Sequence, residues 1–143
     1  MDLPSEAMER FFRTFETNTM NDDTNAAVSQ FADVFMAASP NGAQAVRATD
    51  FALALPKKKQ LFDKLGCRST QLVWLREQRL DARYSLATTQ WQMNFEPQDR
   101  QPEQVVVESV YIVDTSGDMP KIVFYLANQD LMQVLRERGI LAA

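Results

Sequence analysis

The spacing of apolar residues changes near the middle of the chain. In the first half they recur every three or four positions; in the second they alternate. Met8, Phe11, Phe12 and Phe15 form an i, i+3, i+4, i+7 stripe with Ser5 placed to cap it, which predicts an amphipathic helix. Met20 to Thr24 is polar and turn-like, and a second helix is expected from Thr24 through Val28 and Phe31. Asp33 to Ala38 reads as a short strand stopped by Ser39-Pro40-Asn41-Gly42, a cluster of turn-forming residues. Gln44 to Ala48 returns as a second short strand. Thr49 or Asp50 then caps a helical stretch over Phe51 to Leu55 that restarts or kinks at Pro56. It continues through Leu61, Phe62 and Leu65 and stops at Gly66.

From Arg68 onward the period is two. Strands are expected at about Gln71 to Leu80, Arg83 to Phe95, Val105 to Val113 and Lys121 to Leu126. In the first of these, Leu72, Trp74 and Leu80 fall on one face and Val73 and Leu75 on the other. Asn128 is placed to cap a last helix bearing Leu131, Val134 and Leu135, ended by Gly139. Short turns between long strands require antiparallel neighbours, hence a meander.

Large apolar groups stand on both faces of these strands: Tyr111 against Val110 and Ile112, Phe124 against Val123 and Tyr125. The helices of the first half cover one face, and no sequence remains to cover the other. The expectation is therefore a homodimer packed through the outer sheet face.

Composition narrows the class. With 143 residues, 45% hydrophobic and 24% charged, the chain is expected to fold as a single domain over residues 1–143 without staples. A net charge of −4 argues against nucleic-acid or anionic-membrane partners, which reward basic patches. Lys57-Lys58-Lys59, the one dense basic cluster, reads as a solvated helical turn after Pro56. There is no histidine, and Cys67 is the sole cysteine, so no metal set, intrachain disulfide or Cys-His pair exists. No cofactor motif is present. No apolar run approaches a membrane span, the N-terminus carries no secretory pattern, and a cytoplasmic location is expected.

The order of elements resembles the nuclear-transport-factor-2-like superfamily, which includes SnoaL-like cyclases, ketosteroid isomerases and scytalone dehydratases. The matching stretches are Phe31-Ala32-Asp33-Val34-Phe35-Met36 running into Ser39-Pro40-Asn41-Gly42, then Phe62-Asp63-Lys64-Leu65-Gly66, then Gly117 followed by Lys121-Ile122-Val123. The resemblance implies an α+β, cystatin-like cone: a strongly bent antiparallel sheet of four long strands plus a short hairpin, wrapped around three or four helices. It also implies a largely apolar pocket and a dimer through the sheet. The family's catalytic groups are not matched. Ser39 stands where the isomerases carry their aspartate base, Ser109 falls near their strand acid, and Phe11, Phe12 and Phe15 occupy the helix that holds their tyrosine. The dehydratase His-Asp pair is excluded by the lack of histidine.

Asp33 is the remaining candidate for a general base, placed where a helix meets the first short strand; the alternative is an ordinary surface aspartate. Arg47 and Arg76, with Arg83, are candidates to hold an anionic group. Trp74, Tyr84, Trp91 and Tyr111 are the aromatic set, suited to a pocket wall or an interface. The functions in view are binding of a small apolar or carboxylate-bearing ligand, a cyclase- or isomerase-type reaction with Asp33 as base, or a non-catalytic protein-interaction module whose pocket is filled by Phe11, Phe15 and Met93.

Overall fold

The computed structural model describes residues 2–21 and 23–142. Six strands form one sheet in the order β2-β1-β6-β5-β4-β3. They are β1 (Phe31–Ser39), β2 (Gly42–Arg47), β3 (Cys67–Arg79), β4 (Tyr84–Phe95), β5 (Glu103–Asp114) and β6 (Lys121–Ala127). The last four make the expected antiparallel meander. The β1–β2 hairpin joins it through parallel pairing of β1 with β6, Met36 lying opposite Phe124 and Ala38 opposite Leu126. Four helices accompany the sheet: α1 (Glu6–Met20), α2 (Thr24–Val28), α3 (Ala48–Lys64) and α4 (Leu131–Glu137). The sheet is curved and unclosed, and register shifts in β1, β3 and the β5–β6 pairing supply local bends.

One of those shifts corrects the expected faces of β3. Leu72 pairs with Trp91, but Trp74 pairs with Gln90, so one extra residue lies between them. The irregularity at Val73 turns Leu72 and Leu75 to the same, inner face, where both are buried, and leaves Trp74 on the outer face. Strict alternation fails there because a bulge adds one residue and reverses every later side chain. β4 has no such break: Ser85, Ala87, Thr89, Trp91, Met93 and Phe95 are all buried, and every residue between them is partly exposed.

Three boundaries also differ. Phe31 opens β1 rather than closing α2, because Ser29 already ends that helix and Ile122 N–H donates to Gln30 O at 2.8 Å, starting the β1–β6 ladder. Helix α3 begins directly after β2 with Arg47 in the cap position, and it runs unbroken through Pro56. Asp130, not Asn128, caps α4, accepting from Gln133 N–H at 3.2 Å. Asp130 also accepts from Asn41 Nδ2 at 2.8 Å, tying the hairpin tip to that helix.

The core lies between helices and sheet. Phe12 of α1 is fully buried, with its ring 5.0 Å from Tyr111. A second cluster joins Phe62 of α3, Phe95, Val105 and Leu135 of α4 at one end of the sheet. Glu77 fastens the start of α1 to β3: its carboxylate accepts from Ser5 N–H at 2.9 Å and from Ser85 Oγ at 2.7 Å.

Burial alone pushes the Glu77 carboxyl up, but hydrogen bonds from Ser5 and Ser85 and the nearby Arg79 outweigh it, and the net shift is downward. Folding therefore favours the ionised form. That contribution is complete above the ordinary glutamate value of 4.5 and disappears as pH falls through the lower folded value. Glu77→Gln is expected to cost about 1–3 kcal/mol at neutral pH and to flatten stability below the ordinary value. Denaturant melts of both proteins between neutral and acidic pH check this; parallel pH profiles would remove Glu77 from the account.

Candidate functional site

On the helix side of the sheet lies a cavity of about 760 Å³. Its position follows from the alternation of the strands. β4 sends Trp91 and Met93 inward, β5 sends Val107, Ser109 and Tyr111, and β6 sends Tyr125 and Ala127. Helices α1 and α3 stand opposite with Phe15, Phe51, Leu55 and Phe62. Phe15 lies 5.6 Å from both Trp91 and Tyr111, and Phe51 lies 4.7 Å from Phe31. The walls are thus mostly aromatic faces and edges, suited to apolar and π-rich surfaces.

A polar strip crosses these walls. Trp91 Nε1 donates to Thr89 Oγ1 at 2.8 Å, Thr89 Oγ1 donates to Ser109 O at 2.9 Å, and Ser109 Oγ donates to Tyr111 Oη at 3.2 Å. Trp91, Thr89 and Ser109 each find an acceptor, as burial requires, and the Tyr111 phenol, which accepts from Ser109, has its own proton to offer. Burial, reinforced by Tyr125, holds the Tyr111 phenol well above its ordinary pKa, so it is a neutral donor and not a phenolate. Cys67 also borders the cavity; burial pushes its thiol up, against a nucleophilic role.

The residues singled out from sequence divide by position. Trp91 and Tyr111 stand together in the cavity wall. Trp74 and Arg76 lie on the outer face of β3, stacked with the guanidinium 5.5 Å from the indole ring. Tyr84 is on the outer face of β4 beneath Arg83, also at 5.5 Å. Arg47 is exposed at the end of β2. Asp33 is exposed within β1, outside the cavity lining, because β1 starts two residues earlier than the pattern implied and carries Phe31 and Phe35 inward instead. Ser109 is in the cavity wall; Glu108 also borders the cavity, and its carboxylate accepts from Gln90 Nε2 at 3.4 Å. Phe15 and Met93 form walls rather than filling the space, and Phe11 is packed in the core outside the lining.

One lining residue was masked in the sequence by its neighbours. Lys58 borders the cavity, with Nζ 5.8 Å from the centroid of Phe62. Read as part of a lysine run it is a solvated residue. Counted from Phe51, Leu55 and Phe62 it occupies the inward stripe of α3.

Neither a family model nor a curated protein matches the sequence. Solved structures do match the fold. An NTF-2 like protein of unknown function from Shewanella oneidensis superposes with a TM-score of 0.69 at 12% identity, covering 89% of this chain and 100% of that one. The protein has the nuclear-transport-factor-2-like fold. Two further structures with this fold have more specific descriptions. A putative scytalone dehydratase from Novosphingobium aromaticivorans gives a TM-score of 0.68 at 10% identity, covering 85% and 80% of the two chains. The beta subunit of benzoate 1,2-dioxygenase from Burkholderia mallei gives 0.67 at 13%, covering 94% and 95%. These structures agree with the α+β fold of bent sheet and helices that the resemblance implied. Among the described residues, no helix is long and apolar enough to cross a membrane.

Proposed function

We propose that this protein binds a small, largely apolar molecule in the cavity between α1, α3 and the sheet, and acts as a homodimer joined through the outer sheet face. The observation that carries the binding reading is the open cavity of about 760 Å³, within the range of about 300–1,000 Å³ common for small-molecule sites. Aromatic walls supply apolar burial, and Tyr111 supplies a neutral donor for one acceptor oxygen of the ligand. Trp91 and Tyr111 are the ligand-contacting residues in this reading. Trp74, Arg76 and Tyr84 belong to the outer face, and Arg47 to the exterior.

The dimer reading rests on the other face of the sheet. Cross-strand pairing sets Met36, Phe124, Ile112 and Leu86 in one row across β1, β6, β5 and β4. All four are partly or largely exposed in the isolated chain. A second chain of the same kind would cover this row. A cyclase- or isomerase-type reaction with Asp33 as base has less support, since Asp33 lies outside the cavity lining. A cytoplasmic location suits the free thiol of Cys67.

Native mass spectrometry of freshly purified protein tests the combined reading. The expected spectrum is a dimer carrying a reproducible added mass that disappears on denaturation. A ligand-free monomer at micromolar concentration would contradict the dimer, and a ligand-free dimer would shift weight to the interaction-module reading.

A further inference from the structure

Helix α3 turns Phe51, Leu55, Phe62 and Leu65 toward the interior at spacings of four, seven and three. The gap of seven is divided by Lys58, three residues after Leu55 and four before Phe62. An apolar residue would complete the stripe; a lysine stands there instead. Its two lysine neighbours are placed differently. Lys57 is exposed and outside the lining; Lys59 also borders the cavity, but its ammonium donates to Met20 O at 3.2 Å.

Lys58 is an exposed residue overall, yet it borders the cavity and its Nζ lies 5.8 Å from the centroid of the Phe62 ring. Among the described residues no carboxylate pairs with it. Of the other charged residues that border the cavity, Arg68 meets Glu96 at 3.4 Å, Asp23 caps α2 and Glu108 accepts from Gln90 Nε2 at 3.4 Å, while Asp63 is exposed near the end of α3. Crowding by protein lowers the Lys58 pKa, so its ammonium is less well solvated than a surface lysine's. A poorly solvated cation at the edge of an apolar cavity favours an incoming anion more than a hydrated one would.

We propose that Lys58 anchors the carboxylate of the cavity's ligand, whose apolar body lies against Phe62 and the aromatic wall. This rests on the reading of the cavity as a ligand site and adds the ligand's class: an apolar monocarboxylic acid. One ammonium matches one negative charge. The carboxylate stays near the opening, where water completes its solvation, and the hydrocarbon part enters.

Calorimetric titration with biphenylacetate and its neutral counterpart biphenylethanol tests the anchor, using the wild type, Lys58→Met and Lys58→Arg. The wild type is expected to prefer the acid by about tenfold, the worth of one charge-assisted hydrogen bond at a partly wet site. Lys58→Met should remove the preference by weakening the acid alone, and Lys58→Arg should retain it. Equal affinities in the wild type, or a preference that survives in Lys58→Met, overturn the anchor while leaving the cavity reading intact. Failure of both compounds to bind the wild type overturns the cavity reading and the anchor with it.

Discussion

Ile112→Lys is expected to convert the proposed dimer to monomers while leaving the fold unchanged. Ile112 lies in the middle of the outer row, opposite Leu86 on one side and Phe124 on the other. Its side chain faces away from the core, so the monomer loses little. In a dimer packed through this face, two lysines would be desolvated without partners, weakening association by a factor on the order of one hundred or more. Sedimentation velocity over a concentration series reads this directly, with circular dichroism as the check on folding. A variant that remains dimeric at the wild-type affinity would place the interface elsewhere.

The second large effect is at Gly66. The residue has φ of +86°, and a Cβ there would run into Glu96 O and lie 2.8 Å from Glu96 C. Those are backbone atoms held in place by the Glu96 N–H···Gly66 O bond of 2.8 Å, so they cannot move aside. Gly66→Ala combines left-handed backbone strain with this clash and is expected to cost about 3 kcal/mol, lowering the melting temperature by roughly 10 °C. Two controls separate the causes. Gly42→Ala, at φ of +132° with no atom within 4 Å, should show strain alone. Gly117→Ala, whose nearest neighbour is Met119 O at 3.7 Å, should melt within about 0.5 kcal/mol of the wild type. If Gly66→Ala melts with Gly117→Ala, the close approach of the two backbones does not hold.

The sequence made the meander legible because β4 alternates without a break over twelve residues and β5 is rich in β-branched residues between clear turns. Helix α1 was legible for the same reason at its own period. The faces of β3 were not, since a bulge at Val73 is a property of pairing with β4 and leaves no local mark. Nor did local pattern reveal the parallel pairing of β1 with β6, which joins segments about ninety residues apart in the chain.

The candidate site was legible in part. Trp91 and Tyr111 were identifiable as large amphipathic residues on long strands, and the structure sets them on one wall. Trp74 and Tyr84 share that chemistry but face outward, a difference only register decides. Asp33 drew notice as an acid near a boundary, and the boundary moved. Lys58 carried a readable signal in its stripe position, obscured by two flanking lysines.

The most direct test of the central claim is whether occupation of the cavity itself controls binding. Ala127 faces the cavity from the end of β6, and Ala127→Trp would place an indole in the space a ligand needs. An anilinonaphthalene sulfonate dye, titrated into wild type and variant while its fluorescence is followed, makes the comparison. The account predicts saturable, micromolar binding to the wild type and at least a tenfold loss in a variant of unchanged circular dichroism. Equal binding to both would put the dye outside the cavity and contradict the claim that this cavity is the ligand site.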